Sequence, residues 1–300
     1  MHPPDMTSFQ ANFRGISMIL LSSLVFILND TLIKLASDRL PTGQILVMRG
    51  GVGLVLILAV LFATGTHRYW RLALHPLVFW RTVGEVVATV LYLYALFHMP
   101  IANISAVNQI VPLMTTAAAA IFLGETVGWR RWSAIAVGFV GVMIVMRPGV
   151  AGFDAYALAA LGSMAFITLR DLVTRAFPLG MPTLLVTAVT AAAVTLTGGV
   201  ISLGETWLTP STHEWVILSG AALLLLVGYG SMILAMRGGS MAVIAPFRYV
   251  VILYAITIGY LVWGDIPDSY TIIGTLVVVA TGLYSIHRER RVAIVSPSSA

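Results

Sequence analysis

Long apolar runs, separated by short polar segments, dominate the chain from Gly15 to His287. Each of ten runs is about 20 residues long, which is the length that an α-helix needs to cross the hydrocarbon core of a bilayer. The runs are continuous and do not alternate between apolar and polar residues, as the strands of a membrane barrel do. The pattern therefore predicts an all-α integral membrane protein. The ten helices are expected at residues 15–35, 42–64, 77–98, 101–123, 131–147, 154–176, 181–203, 214–236, 240–263 and 269–287.

The composition agrees with a membrane protein. Of the 300 residues, 59% are hydrophobic and 10% are charged, whereas a soluble domain has about a quarter of charged residues. Cysteine is absent, which excludes disulfides and thiolate metal sites. The net charge of +5 is not gathered into a long basic run or a basic helix, so no nucleic-acid partner is expected.

The basic residues predict how the chain is oriented. Ten spans place both termini on one side of the membrane, and roughly ten arginines lie on that side against three basic residues on the other. By the positive-inside rule, the tails at residues 1–13 and 288–300 are expected in the cytoplasm, with the protein in the inner (plasma) membrane. All seven tryptophans lie at or near predicted helix ends, where amphipathic rings are enriched, and this supports the boundaries.

The second half of the chain repeats features of the first. Asp30 and Lys34 recur 141 residues later as Asp171 and Arg175, and a Pro-Thr pair follows each aspartate by eleven residues. The segment FLGETV, which begins at Phe122, is matched 140 residues later by VWGDIP. Several matches in the same order at nearly one offset indicate a duplication.

Each half contains five predicted helices, at residues 14–147 and 153–287. Because five is an odd number, the second half must cross the membrane in the opposite sense to the first. Such inverted repeats are a recurrent construction of secondary transporters, with the substrate site near the midplane between the halves. The sequence has no G-x-x-x-x-G-K-[ST] loop, so ATP-driven transport by this chain is not expected.

Two inverted five-helix repeats, with LGE closing the fourth helix before a glycine-rich fifth, resemble the drug/metabolite transporter superfamily and, within it, the EamA-like ten-helix exporters. The resemblance covers about residues 14–287, although the second half has WGD at 263–265 in place of LGE. It implies transport of amino acids and other small metabolites, often outward. Aromatic amino-acid exporters look like the nearest relatives.

Glu85 in the third span and Arg248 in the ninth are unusual residues for a membrane interior. Each lies about eight residues, or roughly 12 Å, from the predicted cytoplasmic start of its helix, which is close to the midplane. A charge that faces lipid costs several kcal/mol, so both should face the bundle interior or water. They could form a structural ion pair, or Arg248 could bind a substrate carboxylate and Glu85 a substrate amine or a proton. Arg81, four residues before Glu85, is a rival partner.

Asn108 in the fourth span occupies the repeat position of Arg248. It shares a polar helical stripe with Pro112, which frees a backbone carbonyl, and such breaks are tolerated where they line a cavity. The stripe either contacts substrate or holds neighbouring helices together through hydrogen bonds.

Tyr92 continues the helical stripe of Arg81 and Glu85, so its ring either contacts an aromatic substrate or fills space in the bundle. With this residue the set of candidate substrate-binding residues is Glu85, Tyr92, Asn108 and Arg248.

Charged residues near the helix ends form a second group. Asp30 and Lys34 are expected near the external mouth, and Asp171 and Arg175 near the cytoplasmic mouth. Each aspartate has a cation at i+4, a spacing that suits an ion pair on one helix, and the basic side chains can reach water. Arg49, at a similar depth to Asp30, is a rival partner. The group is expected to form either gates or structural ion pairs.

These residues and the resemblance predict a secondary transporter that exports amino acids, aromatic ones among them, or similar metabolites by alternating access. The alternatives are a transporter of another class, such as nucleoside-like or drug-like solutes, and a solute channel. No G-x-S-x-G or H-E-x-x-H motif occurs, so no enzyme activity, catalytic residue, cofactor or metal is expected. The expected partners are a small-molecule substrate and the lipid bilayer, and the expected state is a monomer or weak homodimer.

Overall fold

The chain folds into a bundle of α-helices. A computed structural model describes residues 6–147, 155–178, 180–238 and 241–295, and within these ranges it contains no β-strand. Two 3₁₀ segments, Thr66–Leu74 and Ala245–Tyr249, accompany the α-helices. The α-helices are α1 (Met6–Ser37), α2 (Thr42–Ala63), α3 (Pro76–His98), α4 (Ile101–Asn108), α5 (Val111–Phe122), α6 (Trp129–Met146), α7 (Ala155–Arg175), α8 (Thr183–Ser202), α9 (Thr212–Gly238), α10 (Met241–Ile244), α11 (Val250–Trp263) and α12 (Ser269–Val295).

The predicted number of spans is confirmed. Ten segments of the described chain are helical, long enough and apolar enough to cross a membrane, which makes this a multi-pass membrane protein. The fourth span consists of α4 and α5, and the ninth contains the segment Ala245–Tyr249 and α11. The last helix, α12, continues past its predicted end at 287 because arginine and glutamate there are good helix formers. The expected repeat boundary at 153 and the outermost tail residues 1–5 and 296–300 lie outside the described residues.

The two halves interleave instead of folding side by side. The most extensive helix pairs are α1 with α9, α3 with α7, α2 with α8 and α6 with α12, and α4 also packs against α11. Each pair joins one helix from each half of the chain. Moving every span five places along the chain turns the pair α1–α9 into α7–α3 and leaves the other pairs unchanged, so the packing follows a two-fold pattern. The repeat bounds 14–147 and 153–287 stay a prediction.

Two spans are interrupted at equivalent positions. In the fourth span, the amides of Gln109 and Ile110 bond to carbonyls three residues back, and Pro112 offers no N–H to the carbonyl of Asn108. In the ninth span, the 3₁₀ segment ends at Tyr249, which lies 140 residues after Gln109. Discontinuous helices of this kind are typical of substrate sites in transporters.

Glycines allow α6 and α12 to pack closely. A Cβ on Gly141 would lie 3.0 Å from the carbonyl oxygen of Gly274 and 2.9 Å from a methyl group of Val277. Small residues at such contacts let helix backbones approach, which is the main source of helix association in lipid. The contact fixes two outer helices that flank the fourth span.

A larger side chain at Gly141 should therefore destabilise the bundle. We expect Gly141→Leu to lower the free energy of unfolding by about 1–3 kcal/mol, the usual cost of overpacking. Thermal unfolding in detergent measures the change. Val140→Leu is the matched control, because Val140 is 55% exposed on the outer face, and it should leave the melting temperature unchanged.

Candidate functional site

Asp30 is the centre of a polar cluster between α1, α2 and α3. Its carboxylate accepts a hydrogen bond from the Tyr92 hydroxyl at 2.7 Å and one from the Asn29 amide at 2.9 Å. The guanidinium of Arg49 donates to the side-chain oxygen of Asn29 at 3.3 Å. Arg49 therefore reaches Asp30 through Asn29, and it adds a nearby positive charge that interacts with the Asp30 carboxylate. We call Asn29, Asp30, Arg49 and Tyr92 the first cluster.

Arg170 is the centre of a second cluster, which joins α3 to α7. Its guanidinium lies 3.2 Å from the Glu85 carboxylate and 2.8 Å from that of Asp171. The exposed fractions of the side chains are 21% for Arg170, 18% for Glu85 and 37% for Asp171. The three side chains are therefore largely withdrawn from water, and their mutual pairing reduces the cost of holding them there. We call Glu85, Arg170 and Asp171 the second cluster.

Arg81 lies beside the second cluster and interacts with the charge of Glu85. Its guanidinium donates to the hydroxyls of Thr174 at 3.2 Å and Thr190 at 3.3 Å. The hydrogen bonds of Arg81 therefore go to hydroxyls of α7 and α8, and Glu85 is bonded by Arg170 rather than by Arg81.

Tyr229 on α9 lies between the two clusters. Its hydroxyl interacts electrostatically with Glu85 and Arg170 of the second cluster and with Arg49 of the first. Its ring packs edge-on against Phe26 of α1, with 5.3 Å between centroids. Although Tyr229 is 43% exposed, these neighbours on four helices show that it faces the centre of the bundle. The clusters thus belong to one polar region that crosses the interior.

Arg248 stands apart from the ion pairs of this region. It lies in the 3₁₀ segment of the ninth span and is close enough to Asp171 for their charges to interact. Among the described residues, no hydrogen bond or ion pair engages its guanidinium. The suggested pair with Glu85 is therefore wrong, because Glu85 is bonded to Arg170, which lies nearer on α7.

Asn108 is the last residue of α4 and lies at the break of the fourth span. Two neighbours of this break, Ser105 and Gln109, are buried, and each carries a side-chain oxygen with no hydrogen-bond partner in the described part of the chain. Side-chain oxygens without a partner therefore lie close to Asn108, the residue equivalent to Arg248.

The ion pair expected between Asp30 and Lys34 is not formed. Lys34 is buried, and its ammonium group donates to the main-chain carbonyl of Met99 and lies 5.2 Å from the ring centroid of Trp263. The physical reason is that an i, i+4 pair is worth only about 0.2–0.5 kcal/mol, and Asp30 has better oriented donors in Tyr92 and Asn29. Lys34 instead fastens α1 to the α3–α4 turn.

The equivalent pair between Asp171 and Arg175 is also wrong. Arg175 lies 3.6 Å from Glu125, and both side chains are about half exposed. Asp171 is bonded to Arg170, its neighbour in sequence. The surface pair with Glu125 contributes little, because exposed ion pairs are worth about 0–1 kcal/mol.

Sequence reasoning missed Asn29 and Arg170. Both were visible in the repeat, since each directly precedes the aspartate that recurs at offset 141. In both halves the preceding residue donates a hydrogen bond to that aspartate, at 2.9 Å in each case. No group of three or more His, Cys, Asp or Glu side chains that could hold a metal occurs in the described ranges.

Arg170 should contribute more to stability than Glu85, because it is shared by two carboxylates. Arg170→Gln leaves both carboxylates without their main partner and should cost about 3–5 kcal/mol, the range for breaking a buried pair. Glu85→Gln leaves Arg170 paired with Asp171 and should cost clearly less. Thermal unfolding in detergent measures both losses of stability and shows which is larger.

Arg175→Gln is the control, since its pair with Glu125 is exposed and its removal should leave the melting temperature nearly unchanged. Equal losses for Arg170→Gln and Glu85→Gln would contradict the shared role of Arg170.

Comparison with known proteins supplies independent information. Residues 13–147 match the EamA-like transporter family. A pseudopaline exporter of Pseudomonas aeruginosa is 26% identical over 88% of this chain and 93% of its own length. An S-adenosylmethionine uptake transporter of Rickettsia conorii is 26% identical over 92% of this chain and 94% of its own. A riboflavin transporter of Vibrio cholerae is 24% identical over 89% and 90%.

A solved crystal structure shares the fold. It superposes with a TM-score of 0.64 over 94% of this chain and 98% of its own, at 17% identity. The relatives correct the expectation of aromatic amino-acid exporters, because they are named for pseudopaline, S-adenosylmethionine and riboflavin. All three are named as transporters. The first half of the chain is thus similar to the EamA-like transporter family, and relatives that cover most of the chain are named as membrane transporters.

Proposed function

We propose that the protein carries amino acids or amino-acid derivatives across the inner membrane by alternating access, with Arg248 as the anchor for the substrate carboxylate. The observation that carries the proposal is the charge balance of the central region. Four arginines, 49, 81, 170 and 248, face the three carboxylates of Asp30, Glu85 and Asp171. The excess positive charge is at Arg248, whose guanidinium has no hydrogen-bond or ion-pair partner among the described residues. A guanidinium fork matches a carboxylate in shape and charge.

The remaining candidate residues are assigned roles around this anchor. Asn108, at the equivalent break, offers an amide to the same substrate. Glu85 is bonded by Arg170 through one nitrogen, and a carboxylate has about four acceptor positions, so it retains capacity for a substrate ammonium group. Tyr92 and Asp30 close the site on one side. We also infer that both termini are cytoplasmic, from the arginine distribution.

The relatives favour this substrate class in part. S-adenosylmethionine, the solute named for the Rickettsia relative, is itself an amino-acid derivative. Riboflavin is not, so a flat-ring solute without an amino-acid group is the second candidate. The relatives include both an exporter and an uptake transporter, so the direction follows from the gradients and coupling of this chain.

Proteoliposomes test the transport mode. We expect saturable flux of a labelled substrate from a panel of amino acids, amino-acid derivatives and riboflavin, with counterflow when unlabelled substrate is loaded inside. Both behaviours follow from a site that is open to one side at a time. Flux that rises without saturation at channel-like rates, with no counterflow, would contradict a carrier.

Arg248 is tested by pairing a protein variant with a substrate variant. Loss of a charge-assisted bond costs about 1.5–3 kcal/mol, so Arg248→Ala should raise the KM for the carboxylate substrate about 10- to 100-fold. The wild type should discriminate against the amide analogue of the same substrate, and Arg248→Ala should not. Arg130→Ala, at an exposed position, is the control. Unchanged discrimination in Arg248→Ala would remove the carboxylate anchor.

A further inference from the structure

The two halves contain the same pair of side chains, an aspartate and a tyrosine, on equivalent helices. Asp30 on α1 corresponds to Asp171 on α7, at an offset of 141. Tyr92 on α3 corresponds to Tyr229 on α9, at an offset of 137, which is close to the offset of 136 between the first residues of those helices. The helix pairs α1–α9 and α7–α3 are exchanged by the two-fold pattern of the bundle.

Contacts elsewhere on these helices support the equivalence. The Ser22 hydroxyl of α1 donates to the carbonyl of Gly228 on α9 at 2.9 Å. The corresponding residues are Ser163 on α7 and Leu91 on α3. A Cβ on Gly162, the neighbour of Ser163, would lie 3.1 Å from Leu91. The two helix pairs therefore cross at matching positions, and the tyrosines next to these crossings match as well.

The equivalent pairs are in different states. The Tyr92 hydroxyl is bonded to Asp30 at 2.7 Å, and the Tyr92 side chain is half-buried. Tyr229 has no hydrogen bond to Asp171 in the described structure and is 43% exposed. Asp171 keeps its bond to Arg170, which corresponds to the bond from Asn29 to Asp30. The bond from the tyrosine to the aspartate is thus present at the first site and absent at the second.

The two pairs lie toward opposite faces of the membrane. Asp30 and Tyr92 are seven and six residues from the ends of α1 and α3, on the face away from the termini. Asp171 and Tyr229 are four and seven residues from the ends of their spans, at Arg175 and Met236, on the face of the termini. A bond between tyrosine and aspartate is thus present toward the first face and absent toward the second in the described structure.

We propose that Tyr92 and Tyr229 are paired closing residues that exchange roles during transport. In the state seen here, Tyr92 binds Asp30 and closes the face away from the termini. In the alternate state this bond opens, and Tyr229 binds Asp171 and closes the face of the termini. Asp171 can accept both Arg170 and Tyr229, as Asp30 accepts both Asn29 and Tyr92, so no existing bond of the second cluster has to break. The proposal rests on the alternating access of the proposed function.

Tyr→Phe variants test the exchange, because they remove only the hydroxyl. Spin labels on Asp38→Cys with His98→Cys measure the opening between α1 and α3, and labels on Ala176→Cys with Met236→Cys measure that between α7 and α9. The chain has no other cysteine, so the labels are specific. Tyr92→Phe should lengthen the first distance and shorten the second in a fraction of molecules. Tyr229→Phe should shift the ratio of states in the opposite direction.

Each shift should be about two- to tenfold in the ratio of the two states, the effect of one hydrogen bond. The Tyr92→Phe variant should populate both the state seen here and the alternate state to a measurable extent. Tyr229→Phe is therefore measured alone and combined with Tyr92→Phe. The double variant should restore the wild-type ratio of the two states. Tyr260→Phe, a 58% exposed tyrosine on α11, is the control and should change neither distance.

Shifts in the same direction, or no shift in the double variant relative to Tyr92→Phe, would overturn the exchange. The distances are measured without substrate, so they do not depend on its identity. Opposite shifts without flux of any amino-acid derivative would leave the exchange intact and remove the proposed substrate class. Flux of such a substrate together with shifts in one direction would support the proposed substrate class and overturn the exchange.

Discussion

Burial of charge within the membrane is the constraint on which the rest of this structure depends. A single charged side chain at the centre of a transmembrane helix costs at least about 2.5–3.5 kcal/mol. The central polar region of this bundle holds the carboxylates of Asp30, Glu85 and Asp171 and the guanidinium groups of arginines 49, 81, 170 and 248. Pairing with an opposite charge or a hydrogen-bond donor reduces this cost. Asp30 accepts two hydrogen bonds, and Arg170 is shared by Glu85 and Asp171. Because these partners belong to different helices, their pairing fixes which helices meet at the centre.

The outer helices α6 and α12 are held together by a different interaction. The pair α6 and α12 associates through glycines whose backbones approach directly, and an ion pair between Arg147 and Asp268 joins the ends of the two helices. Apolar side chains give no preference for protein over lipid, so close packing has to supply the attraction. The closely packed pair α6 and α12 lies beside the polar interior. The two interrupted spans, the fourth and the ninth, lie between this pair and the polar interior.

Function follows from the places where pairing is incomplete. If every polar group of the interior had a partner, no side chain would remain free to bind a solute. Here one guanidinium, that of Arg248, has no bonding partner in the described chain, and the break at Asn108 leaves acceptors on Ser105 and Gln109 unused. Under the proposed function, the carboxylate of the substrate pairs with this guanidinium. The relatives carry chemically different solutes on one fold, as expected when the fold supplies the pathway and a few side chains select the cargo.

The sequence by itself determined the membrane class and the ten spans, and it predicted the duplication. These features depend on composition, on runs of apolar residues and on order along the chain, all of which are local or periodic. It also identified most of the charged interior residues, because any charge in a long apolar run is conspicuous. It did not predict the partners: Glu85 was considered with Arg248 and is bonded to Arg170, and Lys34 was assigned to Asp30 and binds a backbone carbonyl.

Only the tertiary structure decided these partners, because an ion pair between helices depends on how each helix is rotated and on which neighbour it meets. The interleaving of the halves brings α3 against α7 and α1 against α9, and neither contact joins helices that are adjacent along the chain. Two helices in equivalent halves can also differ in state, as Tyr92 and Tyr229 do, although their sequences place them alike. The symmetry of the sequence therefore does not say which of the two tyrosines is bonded to its aspartate.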